Sequence, residues 1–172
     1  MKGTGIVMNQ LYAEAGVKRK DTAASMGLKA LMIIGVIIAV FFLVAGSFWS
    51  YIGVVIIVGV FFLFPRLSVE YEYVFVDGQI DFDKITGKTK RKTMLRIDID
   101  QIEIMAPIGS HALDNFNNVR TEVRNYSSLS KESKSFVIIA NADNKKLRII
   151  FEPSEKMLTM IKQKSPRKIT TY

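Results

Sequence analysis

The sequence predicts a membrane α-helical hairpin followed by an α+β domain. Three observations lead there. No charged side chain occurs between Ala30 and Pro65. After Pro65 the apolar spacing changes from helical to alternating, and one amphipathic pattern opened by Pro153 and Ser154 closes the chain.

The charge-free stretch is 36 residues long. As one straight helix it would measure about 54 Å at ~1.5 Å per residue, against roughly 30 Å of hydrocarbon. Two antiparallel spans fit where one does not. Small, turn-prone residues interrupt the aliphatic run at Gly46-Ser47-Phe48-Trp49-Ser50, and Trp49 and Tyr51 suit an interfacial belt. Residues 28–65 therefore read as a hairpin, with spans at 28–46 and 49–64. A buried core hairpin is the competing reading, but the rest of a 172-residue chain is too small to wrap two such helices. Gly35 and Ala39 on the first span, and Gly53 and Gly59 on the second, leave gaps for close helix approach. Packing within the hairpin and homo-oligomer formation both use such gaps.

Charge sets the expected orientation. Lys18, Arg19, Lys20 and Lys29 precede the first span, Arg66 follows the second, and the connecting turn carries none. The positive-inside rule then puts both termini in the cytoplasm of a multi-pass cell-membrane protein. A cleaved signal peptide fits less well, because the apolar run starts late and a second span follows at once. In residues 1–27, Val7, Met8, Leu11, Tyr12 and Ala15 share one helical face, so a short surface helix is expected there. Lys18, Arg19 and Lys20 would then lie near headgroups; a charge cluster that only sets topology is the plainer alternative.

Overall charge is +8. Much of the excess flanks the apolar stretch, where basic residues orient spans and attract acidic lipid, so nucleic acid is not expected as a partner. Absence of cysteine excludes disulfides, thiolate metal sites and cysteine nucleophiles. His111 is the only histidine and stands in an irregular segment, without partners for a zinc site or a general base. No metal, cofactor or catalytic set is read, and the protein is expected not to be an enzyme.

From 66 to 165 the pattern is that of one compact domain. Leu67, Val69, Tyr71, Tyr73 and Phe75 alternate with outward residues, and Asp77-Gly78 signals a hairpin into Ile80 and Phe82. Thr86-Gly87-Lys88 turns into a strand over 89–99. The parity flips at Asp100-Gln101, where a bulge or strand break is expected. Residues 107–135 are irregular and serine-rich, with a short strand at about 121–127 and a flexible connection behind it. Strands at 136–140 and 147–151 flank a turn at Asp143-Asn144. A helix over 153–165 follows, stopped by Ser165-Pro166, and 166–172 is a tail.

Six or seven antiparallel strands capped by a C-terminal helix is the element order of pleckstrin-homology-like (PH-like) domains. With two preceding spans, the chain resembles bacterial membrane-anchored PH-like proteins. It is most similar to an uncharacterised bacterial family of about this length, a domain of unknown function. The matching elements are Val17–Lys20, Tyr71–Tyr73, Asp81–Ile85 and Phe151–Met157. The resemblance implies a PH-like β barrel or sheet and a membrane topology, with no activity to carry over.

Lys84, Lys88, Lys90, Arg91 and Lys92 form the densest basic cluster. PH-like folds often use an early basic hairpin for anionic lipid, and a tether would keep this one near the bilayer. The alternative is a solvated strand whose lysines pair with Asp81, Asp83, Asp98 and Asp100. Those aspartates alternate outward among basic residues, so calcium is not expected. The functional expectation is a cytoplasmic PH-like domain for protein or anionic-lipid binding, with the bilayer as partner. A structural subunit of a transport or envelope complex is the alternative.

Overall fold

The computed structural model describes residues 12–46, 48–142 and 144–170. In chain order these form β1 (Tyr12–Lys18), α1 (Ala23–Ala45), α2 (Phe48–Leu63), β2 (Val69–Val76), β3 (Gln79–Thr86), β4 (Lys90–Asp98), β5 (Ile102–Pro107), β6 (Glu122–Asn125), β7 (Phe136–Ala142), β8 (Lys145–Phe151) and α3 (Glu155–Lys164). They divide into two compact units. One comprises Lys18–Glu70 and Lys84–Lys92; the other takes the chain up to Val17, Tyr71–Asp83 and everything from Thr93 onward.

The first unit contains the helical hairpin. Thr22 caps α1, its hydroxyl accepting from the Ser25 amide. Lys29, two turns in, reaches back to both oxygens of Asp21 at 2.5 Å. Only Ala39 in α1 and Gly53 in α2 are buried, and they mark where the helices touch. A Cβ on Gly53 would lie 2.6 Å from the Ala39 carbonyl oxygen, closer than any real contact. Most of the other apolar side chains of both helices are exposed, with Ile37, Phe41 and Phe61 at least 65% exposed. α1, and α2 together with the 3-10 turn that extends it to Leu67, are long and apolar enough to cross a membrane. Of the four small residues expected to shape the hairpin, Ala39 and Gly53 form the close contact. Gly35 only reaches Ile56, and Gly59 faces open space.

The expectation of a surface helix near the N-terminus is corrected. Residues 12–18 form strand β1, while Val7, Met8 and Leu11 lie outside the described residues. Ala13 is buried and Ala15 and Val17 half-buried, alternating with exposed neighbours. This two-residue period is carried by small side chains, too weak a signal against the helical spacing of larger ones.

The expected strands are present, but they make two sheets rather than a closed barrel. The first sheet has the order β1-β2-β3-β4, the second β5-β7-β8-β6. The break between them falls at the parity flip. Asp98 and Gln101 close a capping box around a 3-10 turn at Ile99–Gln101, which ends β4 and redirects the chain into β5. Asp77 and Gly78 both take positive φ, as a tight hairpin requires. Tyr71, Tyr73, Phe75, Ile80, Phe82 and Ile97 are buried as the alternation implies.

β6 pairs with β8 in parallel, so the second sheet is mixed rather than all antiparallel. No hairpin joins β6 to β7; the chain leaves β6 through a long connection, and β7 enters between β5 and β8. Being central, β7 is covered on both faces, and six of its seven residues are buried. Val137 and Ile139 pack with Leu113 and Phe116 of the 3-10 segment His111–Phe116. Tyr73, Phe82, Tyr126 and Phe151 form an aromatic cluster, with ring centroids 5.2–5.8 Å apart. The Tyr73 hydroxyl donates to the Tyr126 carbonyl at 2.6 Å, and burial pushes its pKa above the ordinary tyrosine value.

Two further expectations change. The serine-rich connection is tied into the fold: Ser127 and Ser128 are buried, and Ser128 donates through amide and hydroxyl to Glu152 at 2.8 Å. The segment after α3 is not a loose tail. Ile169 is buried and bridges Met105 of β5, with the Met105 amide donating to Lys168 and the Thr170 amide to Met105.

Gly53→Leu is expected to force the helices apart at a cost of about 1–3 kcal/mol, as overpacking does elsewhere. Gly59→Leu meets open space and should be tolerated. The heat-aggregation midpoints of the two detergent-purified variants check this: equal midpoints would mean the Ala39 contact does not hold the hairpin.

Candidate functional site: a basic collar at the base of the hairpin

The end of α2 sets the geometry. Pro65 stops the helix in a 3-10 turn, Phe64–Leu67, which exposes Arg66 and delivers Ser68 and Val69 into the first sheet. Two consecutive carbonyls then receive backbone donors. The Val69 oxygen accepts from the Arg19 amide at 3.0 Å, and the Ser68 oxygen from the Gly87 amide at 3.1 Å. Successive strand carbonyls point to opposite sides, so the chain entering α1 and the turn between β3 and β4 lie on either flank of the chain leaving α2.

The sequence at that turn permits the approach. Gly87 and Lys88 both have φ near +60°. A Cβ on Gly87 would lie 3.4 Å from the Pro65 carbonyl oxygen. Glycine thus supplies both the turn conformation and the close contact with the end of α2.

All eight basic residues singled out from the sequence fall in this unit. Lys18 ends β1, and Arg19 and Lys20 lead into α1. Lys84 is half-buried near the end of β3, Lys88 occupies the turn, and Lys90, Arg91 and Lys92 open β4. Lys18, Lys20, Lys88, Lys90, Arg91 and Lys92 are exposed. Arg66 joins them. From the sequence it signals topology alone, and its place just after Pro65 is what points to the collar.

Charge divides sharply between the two units. The hairpin unit holds ten Lys and Arg against Asp21 and Glu70, a net +8, which leaves fourteen of each sign in the other unit. The whole excess of the chain therefore surrounds the hairpin. Asp21 is already engaged: hydrogen bonding from Lys29 holds its carboxyl below the usual range. Asp81 and Asp98, two of the four aspartates that could neutralise the basic hairpin, have other partners. Asp81 takes a bidentate contact from Arg96 at 2.7 Å, Asp98 accepts from Gln79 at 3.0 Å, and Asp83 is buried. Among the described residues, no acidic side chain pairs with Lys88, Lys90 or Lys92. His111 is exposed beside Asp114 at 3.1 Å.

The Asp21–Lys29 pair generates a pH prediction. Asp21 is ordinarily protonated near 3.8 and its folded value is lower. The unfolded chain therefore binds the proton first, so the pair stabilises the fold above about pH 4 and loses that contribution as acid protonates the folded carboxyl. Asp21→Asn should melt below the parent protein at neutral pH, and the two midpoints should converge in strong acid. A constant offset across the range would contradict the assignment.

No curated protein and no solved structure matches the chain. The model of the family described as Bacterial PH-like domain (DUF6106), a domain of unknown function, matches residues 9–171. With two sheets, a closing helix and an embedded apolar hairpin all inside the matched range, the chain belongs to the bacterial PH-like domain family.

Proposed function

We propose that the protein is a non-enzymatic, multi-pass membrane protein whose basic collar binds the anionic cytoplasmic leaflet and so displays the PH-like domain at the membrane surface. The observation that carries this reading is the charge division: net +8 around two membrane-length apolar helices and zero elsewhere. A cation near an anionic leaflet gains about 1 kcal/mol, and the attraction fades within a Debye length of roughly 8–10 Å. Cations held at the end of a span stay inside that distance. Lysines on a distant loop would not.

The backbone contact from Arg19 to Val69 supports placing both ends of the hairpin on one side of the bilayer. Residues just before the first helix and just after the second are hydrogen-bonded to each other, which a single crossing could not allow. Positive charge on both flanks supports the cytoplasm as that side.

The test uses the intact chain. Purified in mild detergent from a membrane of mixed anionic and neutral phospholipid, the parent protein should retain anionic lipid in excess of its bulk share. Lys88→Glu, Lys90→Glu and Arg91→Glu combined remove about 3 kcal/mol of attraction and add repulsion, so the excess should disappear. Unchanged lipid composition in the triple variant would end the lipid reading. Recovery of a stable complex with another membrane protein, insensitive to these charges, would favour a subunit role instead. Reporters fused to the two termini should respond from the same compartment.

A further inference from the structure

We propose that the collar takes one lipid headgroup bearing two phosphates, a diphosphatidylglycerol-type lipid, across the base of the hairpin. This rests on the lipid reading above and narrows it to a ligand class. The basis is the arrangement of the cations rather than their number. They stand in two groups on opposite flanks of one strand, with a single cation between. Lys18 and Lys20 lie beside the Arg19 amide that bonds the Val69 carbonyl, and Lys88 adjoins the Gly87 amide that bonds the Ser68 carbonyl. Arg66, two residues before Ser68, is exposed between these flanks.

Strand order fixes the separation. β1 and β3 are the two neighbours of β2, so their ends are two strand spacings apart, about 10 Å at roughly 4.8 Å each. A headgroup whose phosphates are joined by a glycerol bridge can present one phosphate to each flank, with flexible lysine stems closing the remaining gap. Once the first phosphate is held, the second meets its cations as a tethered group, at an effective concentration that a separate lipid cannot match. A diffuse positive surface would respond only to charge density. Two backbone-anchored groups discriminate by connectivity.

The hairpin unit itself holds two carboxylates. Both oxygens of Asp21 are held by Lys29, and Glu70, half-buried, is the other carboxylate of this unit. The anchoring is by main chain, so the flank positions do not depend on long side chains finding partners.

The experiment titrates the full-length protein in detergent and reads bound lipid by native mass spectrometry. The probes are diphosphatidylglycerol, phosphatidylglycerol at matched phosphate, phosphatidylcholine and inorganic pyrophosphate. The expected result is at least tenfold tighter binding of diphosphatidylglycerol than of phosphatidylglycerol per phosphate. Lys20→Ala with Lys88→Ala, one from each flank, should abolish that preference. Lys131→Ala with Lys134→Ala removes the same charge at exposed positions outside the collar and should leave the preference in place. Equal affinity for the two anionic lipids overturns this inference while the collar's attraction to anionic lipid stands. Equal affinity for phosphatidylcholine overturns both. Pyrophosphate binding as tight as the lipid overturns the lipid as the source of the two phosphates.

Discussion

The constraint on which the structure depends is that the chain must leave its first sheet, form two apolar helices, and return to the strand it left. The main-chain bond from Arg19 to the Val69 carbonyl is where this closes. It places β1 beside β2 although about fifty residues separate them in sequence. Loop closure over that distance costs little more than over half of it, since the entropy grows only logarithmically. The helix contact at Ala39 and Gly53 keeps the two arms antiparallel, so their ends emerge together.

Because of that closure, the strand pattern and the charge pattern become one arrangement. A strand leaving the hairpin has two neighbours. One is the chain that entered the hairpin, the other is β3 with its turn at Gly87. Each neighbour carries a run of cations at the end nearest the helices. The positive charge is thus gathered by sheet pairing, while the rest of the chain balances its charges locally. Arg96 with Asp81, Lys146 with Glu103, and Arg124 and Lys145 with Glu122 are examples. Exposed pairs of this kind add little stability, but they neutralise the surface on which they occur.

The candidate site was partly legible. Both lysine runs stand out in the sequence, since five of the nine residues from Lys84 to Lys92 are basic. Their meeting was not legible, because it depends on backbone bonds to Ser68 and Val69 that no side chain announces. Pairing of these lysines with Asp81 and Asp98, the alternative that strand alternation offers, is displaced for a similar reason. Alternation says which face a side chain takes, whereas the partner is chosen by register, and register gave Asp81 to Arg96.

Sequence alone determined the elements whose signal is local and strong. These are the two apolar helices, the Asp77-Gly78 and Gly87-Lys88 turns, the alternating strands after Pro65, the break at Asp100-Gln101 and the closing helix. Each follows from the length of an apolar run, a fixed backbone preference or a two-residue period over large side chains. Tertiary structure alone decided that Tyr12–Lys18 is a strand, that β6 runs parallel to β8, that the strands divide into two sheets, and that Ile169 returns to Met105. In each case a short segment with weak intrinsic preference takes the conformation that a distant strand edge offers. Unpaired backbone groups on that edge supply the hydrogen bonds, and nothing in the segment's own sequence says where the edge will be.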